Sequence, residues 1–310
     1  MRSAHRLAAP LSLCAALAFA AAASAASTAA LRNSIPPPAP HGAPGHPSAA
    51  KQAEALMTAG DMAMGAHEYG SAATFYQRAA SMTPKDLAPL RRLGVALAAA
   101  GAAPDAETVW KRVLAVTPGD WQAQVELGKL GVRLGRPAQA IGYLEAAKAT
   151  RDDPAIENAL GLAHDFKGEH AAAQIAYRAG LALAPSGASL RNNLALSLAL
   201  SGDYPAAVEV LSALAAEPTA SARYRLNLAM VYGLSGDDAK AAAAARRDLG
   251  EADNAANQSY YRMLRGLNDR ARTQAVFAGQ VAAAAPAAPP SQVKAGSAGT
   301  PEKAAIKPGE

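Results

Sequence analysis

The chain of 310 residues has one cysteine, Cys14, so no disulfide closes within it and no cysteine-based zinc site forms. Aromatic residues make up only 5% of the sequence, and alanine is the commonest residue. Sandwiches and barrels fill their sheets with aromatic and β-branched side chains, so this composition disfavours them. Alanine is the best helix former, which points to an all-α protein with small side chains at its contacts. The excess of basic over acidic residues is small too. The 30 Lys and Arg against 25 Asp and Glu leave a formal net charge of +5. That is too mild for a dedicated nucleic-acid binder, which concentrates basic residues in a patch.

Catalytic motifs are missing as well. The sequence holds no phosphate-cradling glycine loop, no His-Glu-x-x-His and no Gly-x-Ser-x-Gly. The six histidines are scattered, with His5, His41 and His46 near the N-terminus and His67 and His170 at expected turns. His164 falls in a packing position. Acidic residues do not cluster. Asp152-Asp153-Pro154 and Asp237-Asp238 precede helices and read as N-caps, and Asp105 and Glu107 suit the first turn of a helix dipole. The sequence therefore predicts a protein that is not an enzyme, with no catalytic residues, no cofactor, no metal and no small-molecule substrate.

The two ends have their own compositions. Residues 1–25 read as a secretory signal: Arg2 and Arg6 form a positive segment, Leu7 to Ala22 is uncharged and apolar, and Ala23-Ser24-Ala25 fits cleavage. The alternatives are an uncleaved anchor or a buried helix. Cys14 follows Leu11-Ser12-Leu13, which resembles a lipoprotein signal except that Leu13 is large where a small residue is expected. Cys14 is thus either removed with the signal or lipidated, and only lipidation would tie the protein to a membrane. Residues 26–49 form a Pro/Ala-rich linker, extended by Pro36-Pro37-Pro38, Pro40, Pro44 and Pro47. Residues 280–310 read as a disordered Ala/Pro tail.

The middle of the chain is periodic. Small residues recur at one near-constant interval: Gly60, Gly94, Gly128, Gly161, Ala195 and Ala229. A second series in the same phase is Ala72, Ala106, Ala140, Ala173, Ala207 and Ala241. A third, Gly101, Gly135, Gly168, Gly202 and Gly236, marks the turn between two helical stretches, and His67 takes that place in the first copy. Two helices in a period of about 34 residues are the signature of the tetratricopeptide repeat (TPR). Leu90-x-x-Leu93-Gly94-x-x-Leu97 is one apolar face, Pro104 opens the next helix and Pro118 ends it. Trp110, Tyr177 and Phe75 read as repeat-core residues. The sequence thus predicts a right-handed superhelix of six helix pairs over residues 50–250. A C-terminal capping helix within 251–279 closes it, with Tyr260, Tyr261, Leu264 and Leu267 on one face.

Two stretches, Asn192 to Asp203 and Asn227 to Gly236, resemble the late repeats of the TadD-like tetratricopeptide proteins of the tight-adherence (Tad/Flp) pilus assembly system. The block Ala255-Ala256-Asn257-Gln258-Ser259-Tyr260-Tyr261-Arg262-Met263-Leu264 is similar to that family's C-terminal helix. The resemblance spans about residues 50–268. It implies a non-enzymatic assembly factor of the bacterial envelope, supporting secretin assembly and adhesive pili through protein partners. Many members are lipoproteins, and Leu13 departs from that pattern.

A repeat stack curves around a concave groove lined mainly by the first helix of each pair. Arg91, Lys129, Asn158, Asn192 and Asn227 sit on first helices outside the packing series and are the candidate partner-binding residues. An asparagine amide can donate to and accept from a partner backbone. The same residues could instead be solvated or brace neighbouring helices. Two functions remain: a periplasmic scaffold for pilus assembly, or a generic periplasmic repeat protein serving a cell-wall or polysaccharide-export machine.

Overall fold

The computed structural model describes residues 48–283, with side chains through residue 278. The predicted signal, most of the linker and nearly all of the tail lie outside the described residues. Fourteen α-helices and no strand occur among those residues. They form six consecutive pairs. These are α1 (Ala49–Gly65) with α2 (Tyr69–Met82), α3 (Ala88–Ala99) with α4 (Ala103–Val116), and α5 (Trp121–Arg133) with α6 (Pro137–Lys148). Then come α7 (Pro154–Lys167) with α8 (His170–Leu183), α9 (Ala188–Leu200) with α10 (Tyr204–Ala215), and α11 (Ala222–Ser235) with α12 (Asp238–Ala245). Two more helices follow, α13 (Glu251–Gly266) and α14 (Asp269–Ala283).

The three small-residue series have two different physical causes. A Cβ on Gly60, Gly94, Gly128 or Gly161 would fall within 3.0 Å of Tyr76, Trp110, Leu144 or Tyr177, each on the second helix of the same pair. These glycines are helical, and what they provide is space for a large side chain of the paired helix. The alanines at 72, 106, 140, 173, 207 and 241 have no exposed surface at all. They let the helix axes approach closely at the crossing. The turn glycines are the opposite case. Gly101, Gly135, Gly168, Gly202 and Gly236 have φ between +70° and +90°, and a Cβ there would meet nothing. Their contribution is the left-handed conformation that ends one helix and starts the next. His67 adopts φ 61° in the first turn, its ring nitrogen 2.6 Å from the Tyr69 hydroxyl.

Local signals fix most helix starts. The side chains of Asp120, Asp153, Asp203 and Asp237 accept bonds from the first-turn N–H groups of Ala123, Ala155, Ala206 and Lys240. Proline lies in the first two positions of α3, α4, α6, α7 and α10, where a missing N–H costs nothing. In the first repeat the core aromatic is Tyr76 rather than Phe75. Tyr76 holds the position equivalent to Trp110 and Tyr177 and is fully buried, while Phe75 is half-buried.

First helices of successive repeats touch one another, α5 with α7, α7 with α9, α9 with α11 and α11 with α13, and so form the inner row of the stack. The C-terminal end differs from the single capping helix read from the sequence. Residues 251–283 make two helices, because Leu267 is extended (ψ 151°) and Asn268 caps the next helix by accepting from Ala271 N–H at 2.9 Å. Arg272 secures the corner by donating to the carbonyls of Leu264, Leu267 and Arg265, the bare end of α13. α13 closes the sixth pair: the Tyr261 ring fills the space beside Gly233 on α11, and Leu264 is fully buried. α14 then turns back and packs on α7 and α9.

Candidate partner-binding groove

The inner face is built from first helices, so its chemistry follows from residues in fixed phase with the crossing glycines. One residue after the crossing position stand Asp61, Val95, Lys129, Leu162, Leu196 and Met230. Lys129 on α5 is exposed and pairs with Glu126 of its own helix at 2.8 Å. Leu196 on α9 is fully buried. The face therefore changes from polar at α5 to apolar at α7, α9 and α11. On α7 and α9 it is occupied: one apolar cluster joins Leu162, Phe166 and Leu196 to Val276 and Phe277 of α14. The Phe166 and Phe277 ring centroids are 6.1 Å apart, the planes tilted by 39°. Phe277 has no exposed surface.

The candidate residues fall into two groups. Asn158, Asn192 and Asn227 come together in one row of hydrogen bonds running across α7, α9 and α11. The Asn227 amide donates to Asn192 Oδ1 at 2.6 Å, Asn192 donates to Asn193 Oδ1 at 3.1 Å, and Asn193 donates to Asn158 Oδ1 at 2.9 Å. Each inter-helix step spans 35 residues, slightly more than one repeat, which brings the facing positions of adjacent first helices into register. Asn192 has no exposed surface and Asn158 and Asn227 are half-buried. These amides satisfy one another and brace the stack. Asn192 in particular is out of reach of a partner in this arrangement, so the groove role given to it by phase alone is replaced by a structural one. Asn193, which completes the row, was not singled out in the sequence.

Arg91 and Lys129 lie apart from this row. Arg91 on α3 places Nε and a terminal nitrogen 2.9 and 2.6 Å from Asp120 Oδ2, and Asp120 in turn caps α5. Arg91 is thus a strut between repeats. The same device recurs where Arg191 meets Glu217 at 2.7 Å and where Arg225 grips Asp248. The Arg225 guanidinium holds the Asp248 carboxyl below its ordinary range. The sequence carried a sign of these struts, since Arg191 and Arg225 hold the same phase in successive repeats. Of the five candidates, Lys129 alone remains an exposed side chain on the open part of the inner face.

A second buried polar group sits at the α7–α8–α9 joint. Asp165, with no exposed surface, accepts from Ser197 Oγ at 2.7 Å and from the Tyr177 hydroxyl at 2.9 Å, and lies 2.7 Å from His170 Nδ1. Burial raises the Asp165 pKa, and the three partners oppose that rise. Burial and the neighbouring carboxylate push the Tyr177 hydroxyl well above its usual range. His164 meets Glu169 at 2.8 Å across the same turn. Asp165 was visible in principle: its phase elsewhere holds Ala98, Val132, Ala199 and Gly233, so a carboxylate there breaks a small or apolar series. All three partners are directed at Asp165, so the group joins three helices. Among the described residues, no three or more His, Cys, Asp or Glu stand where they could hold a metal ion, and no helix is long and apolar enough to cross a membrane.

Paired helices, glycine crossings and an inner row of first helices define the tetratricopeptide-repeat fold, an architecture that presents an extended concave surface. Residues 91–154 and 158–222 match the tetratricopeptide repeat family. A repeat protein from Parabacteroides merdae superposes with a TM-score of 0.60 at 15% identity, covering 75% of this chain and 93% of that one. Pseudomonas aeruginosa pilF gives 0.54 at 18% identity, over 69% of this chain and 100% of that one. A thermophilic repeat protein of Thermus thermophilus gives 0.50 at 20%, over 58% and 98%. At such identities the likeness is one of fold. No curated protein matches the sequence.

Proposed function

We propose that this protein is a non-enzymatic envelope scaffold that holds partner proteins on its inner face to support assembly of Tad/Flp pili. The reading rests on the resemblance of Asn192–Asp203, Asn227–Gly236 and Ala255–Leu264 to the tight-adherence proteins. One structural observation supports it. Two of those segments are a single packing unit, because Tyr261 of the last fills the space beside Gly233 of the second. The block that sets this chain apart from other repeat proteins is therefore built into the end of the stack. The signal read at residues 1–25 assigns the work to the periplasm, with an outer-membrane anchor if Cys14 is lipidated. The partners are then proteins of the pilus and secretin machinery.

The test is electron microscopy of a deletion strain under piliating conditions. Loss of surface pili and of attachment, with normal growth, is the expected result. Normal pili with a defect in cell wall or polysaccharide export would assign the scaffold to another envelope machine.

A further inference from the structure

The inner face of α7 and α9 already carries a helix, and that helix belongs to the same chain. α14 presents Thr273, Val276 and Phe277 at i, i+3 and i+4, all buried. Phe277 lies against Phe166, three repeats earlier in the chain. This is the geometry of an amphipathic helix lying in a groove. Resting on the reading that the inner face binds a protein, we propose that α14 is a built-in occupant of that groove. The partner is an amphipathic helix carrying an aromatic residue beside a branched aliphatic one, and it binds by replacing α14.

Three features make α14 replaceable. Its described polar attachments all run to α13 and the Leu267 joint: Arg272 binds the carbonyls of Leu264, Leu267 and Arg265, and the Tyr260 hydroxyl donates to Ala275 O at 3.4 Å. None of its described hydrogen bonds reaches α7 or α9, so the grip on the groove is apolar and open to any helix of the same shape. The fit is also imperfect. Thr273 Oγ1 is buried without a hydrogen-bond partner, and a partner helix with an aliphatic residue there would escape that cost. Finally, only Leu267 and Asn268 separate the two helices, and Leu267 is extended. Rotation at that joint would lift α14 as a unit, while Tyr261 and Leu264 keep α13 in place. Tethering holds α14 at a high effective concentration, so weak apolar helices fail to compete and only a well-matched one enters.

The probe is a labelled synthetic peptide of residues 268–283, titrated into the full chain. The wild type should bind it poorly because its own α14 fills the site. Full-length Phe277→Asp should bind it about tenfold tighter or better, since the tethered competitor is lost. Adding Leu196→Asp to that variant should abolish the gain. A folded Phe277→Asp protein that binds no better than wild type overturns the proposal. Should Phe277→Asp not fold, hydrogen exchange on the wild type decides. Amides of α14 exchanging well ahead of those in α7 and α9 support a replaceable helix, and exchange only at the global unfolding rate overturns it. Concentration-dependent dimers that exchange α14 would give the groove to a second copy and also overturn it. None of these measurements depends on pili, so a wrong assignment of the machine leaves this result standing, and the reverse.

Discussion

Asn227 donates its side-chain amide to the carbonyl oxygen of Asn192 at 2.6 Å, 35 residues away and on the next first helix of the stack. Asn192 has no exposed surface, so its amide is a structural part of the repeat joint. Asn192→Ala removes one partner from each of Asn227 and Asn193 and leaves buried polar atoms unsatisfied. The expected cost is about 1–3 kcal/mol of stability. From phase alone, simultaneous loss of Asn158, Asn192 and Asn227 would spare the fold. With the row of bonds in view, that triple variant should melt well below wild type. Thermal melting of the single and triple alanine variants checks this, and wild-type melting of Asn192→Ala would contradict the bracing role.

The two kinds of glycine should respond differently to the same substitutions. Gly94→Ala drives a Cβ into the fully buried Trp110 ring, with an expected loss of about 1–3 kcal/mol from overpacking. Gly94→Asn should be at least as damaging, because the obstacle is space. Gly202 has φ +89° and open surroundings, so Gly202→Ala should cost about 1–2 kcal/mol through backbone strain. Gly202→Asn should cost less than Gly202→Ala, since asparagine tolerates the left-handed region. Denaturant titration of the four variants gives the ranking, and an identical order at both sites would refute the distinction.

Ala140 and Ala207 have no exposed surface where the paired helices cross. Ala140→Leu or Ala207→Leu should destabilise the protein by about 1–3 kcal/mol, since neither site has room for a larger side chain. Calorimetry measures the shift, and unchanged melting of both would count against the repeat register.

Asp248 is gripped by Arg225 and titrates below its ordinary value in the folded chain. The unfolded state therefore takes up the proton first as pH falls. The stability from this pair is fully present above the unfolded Asp pKa of about 3.9, and is lost as pH drops through the lower folded value. Asp248→Asn should melt below wild type at neutral pH, and the gap should narrow as pH falls below about 4. Melting curves across that range test it, and a constant gap would mean that the charge of Asp248 is irrelevant to the joint.

Much of this protein was legible because its information is local. Helical stretches, caps at Asp153 and Asp237, prolines in first turns and glycines in the left-handed region depend on neighbours a few residues away. Repetition then turned local signals into an architecture, because each pair packs chiefly on the next. Missing from that reading were the break at Leu267–Asn268, the strut from Arg225 to Asp248 and the Asp165 group, each needing a partner outside its own helix.

The sequence by itself determined the repeat, the register of the crossings and the place of every turn in the six pairs, since a fixed period and the left-handed glycines leave the chain few alternatives. Only the tertiary structure decided what the inner face would do. Leu162, Phe166 and Leu196 make that face apolar over α7 and α9, and burying it against Val276 and Phe277 removes it from water. Which distant segment covers an apolar surface depends on where the finished stack delivers the chain, and no spacing within a single repeat contains that.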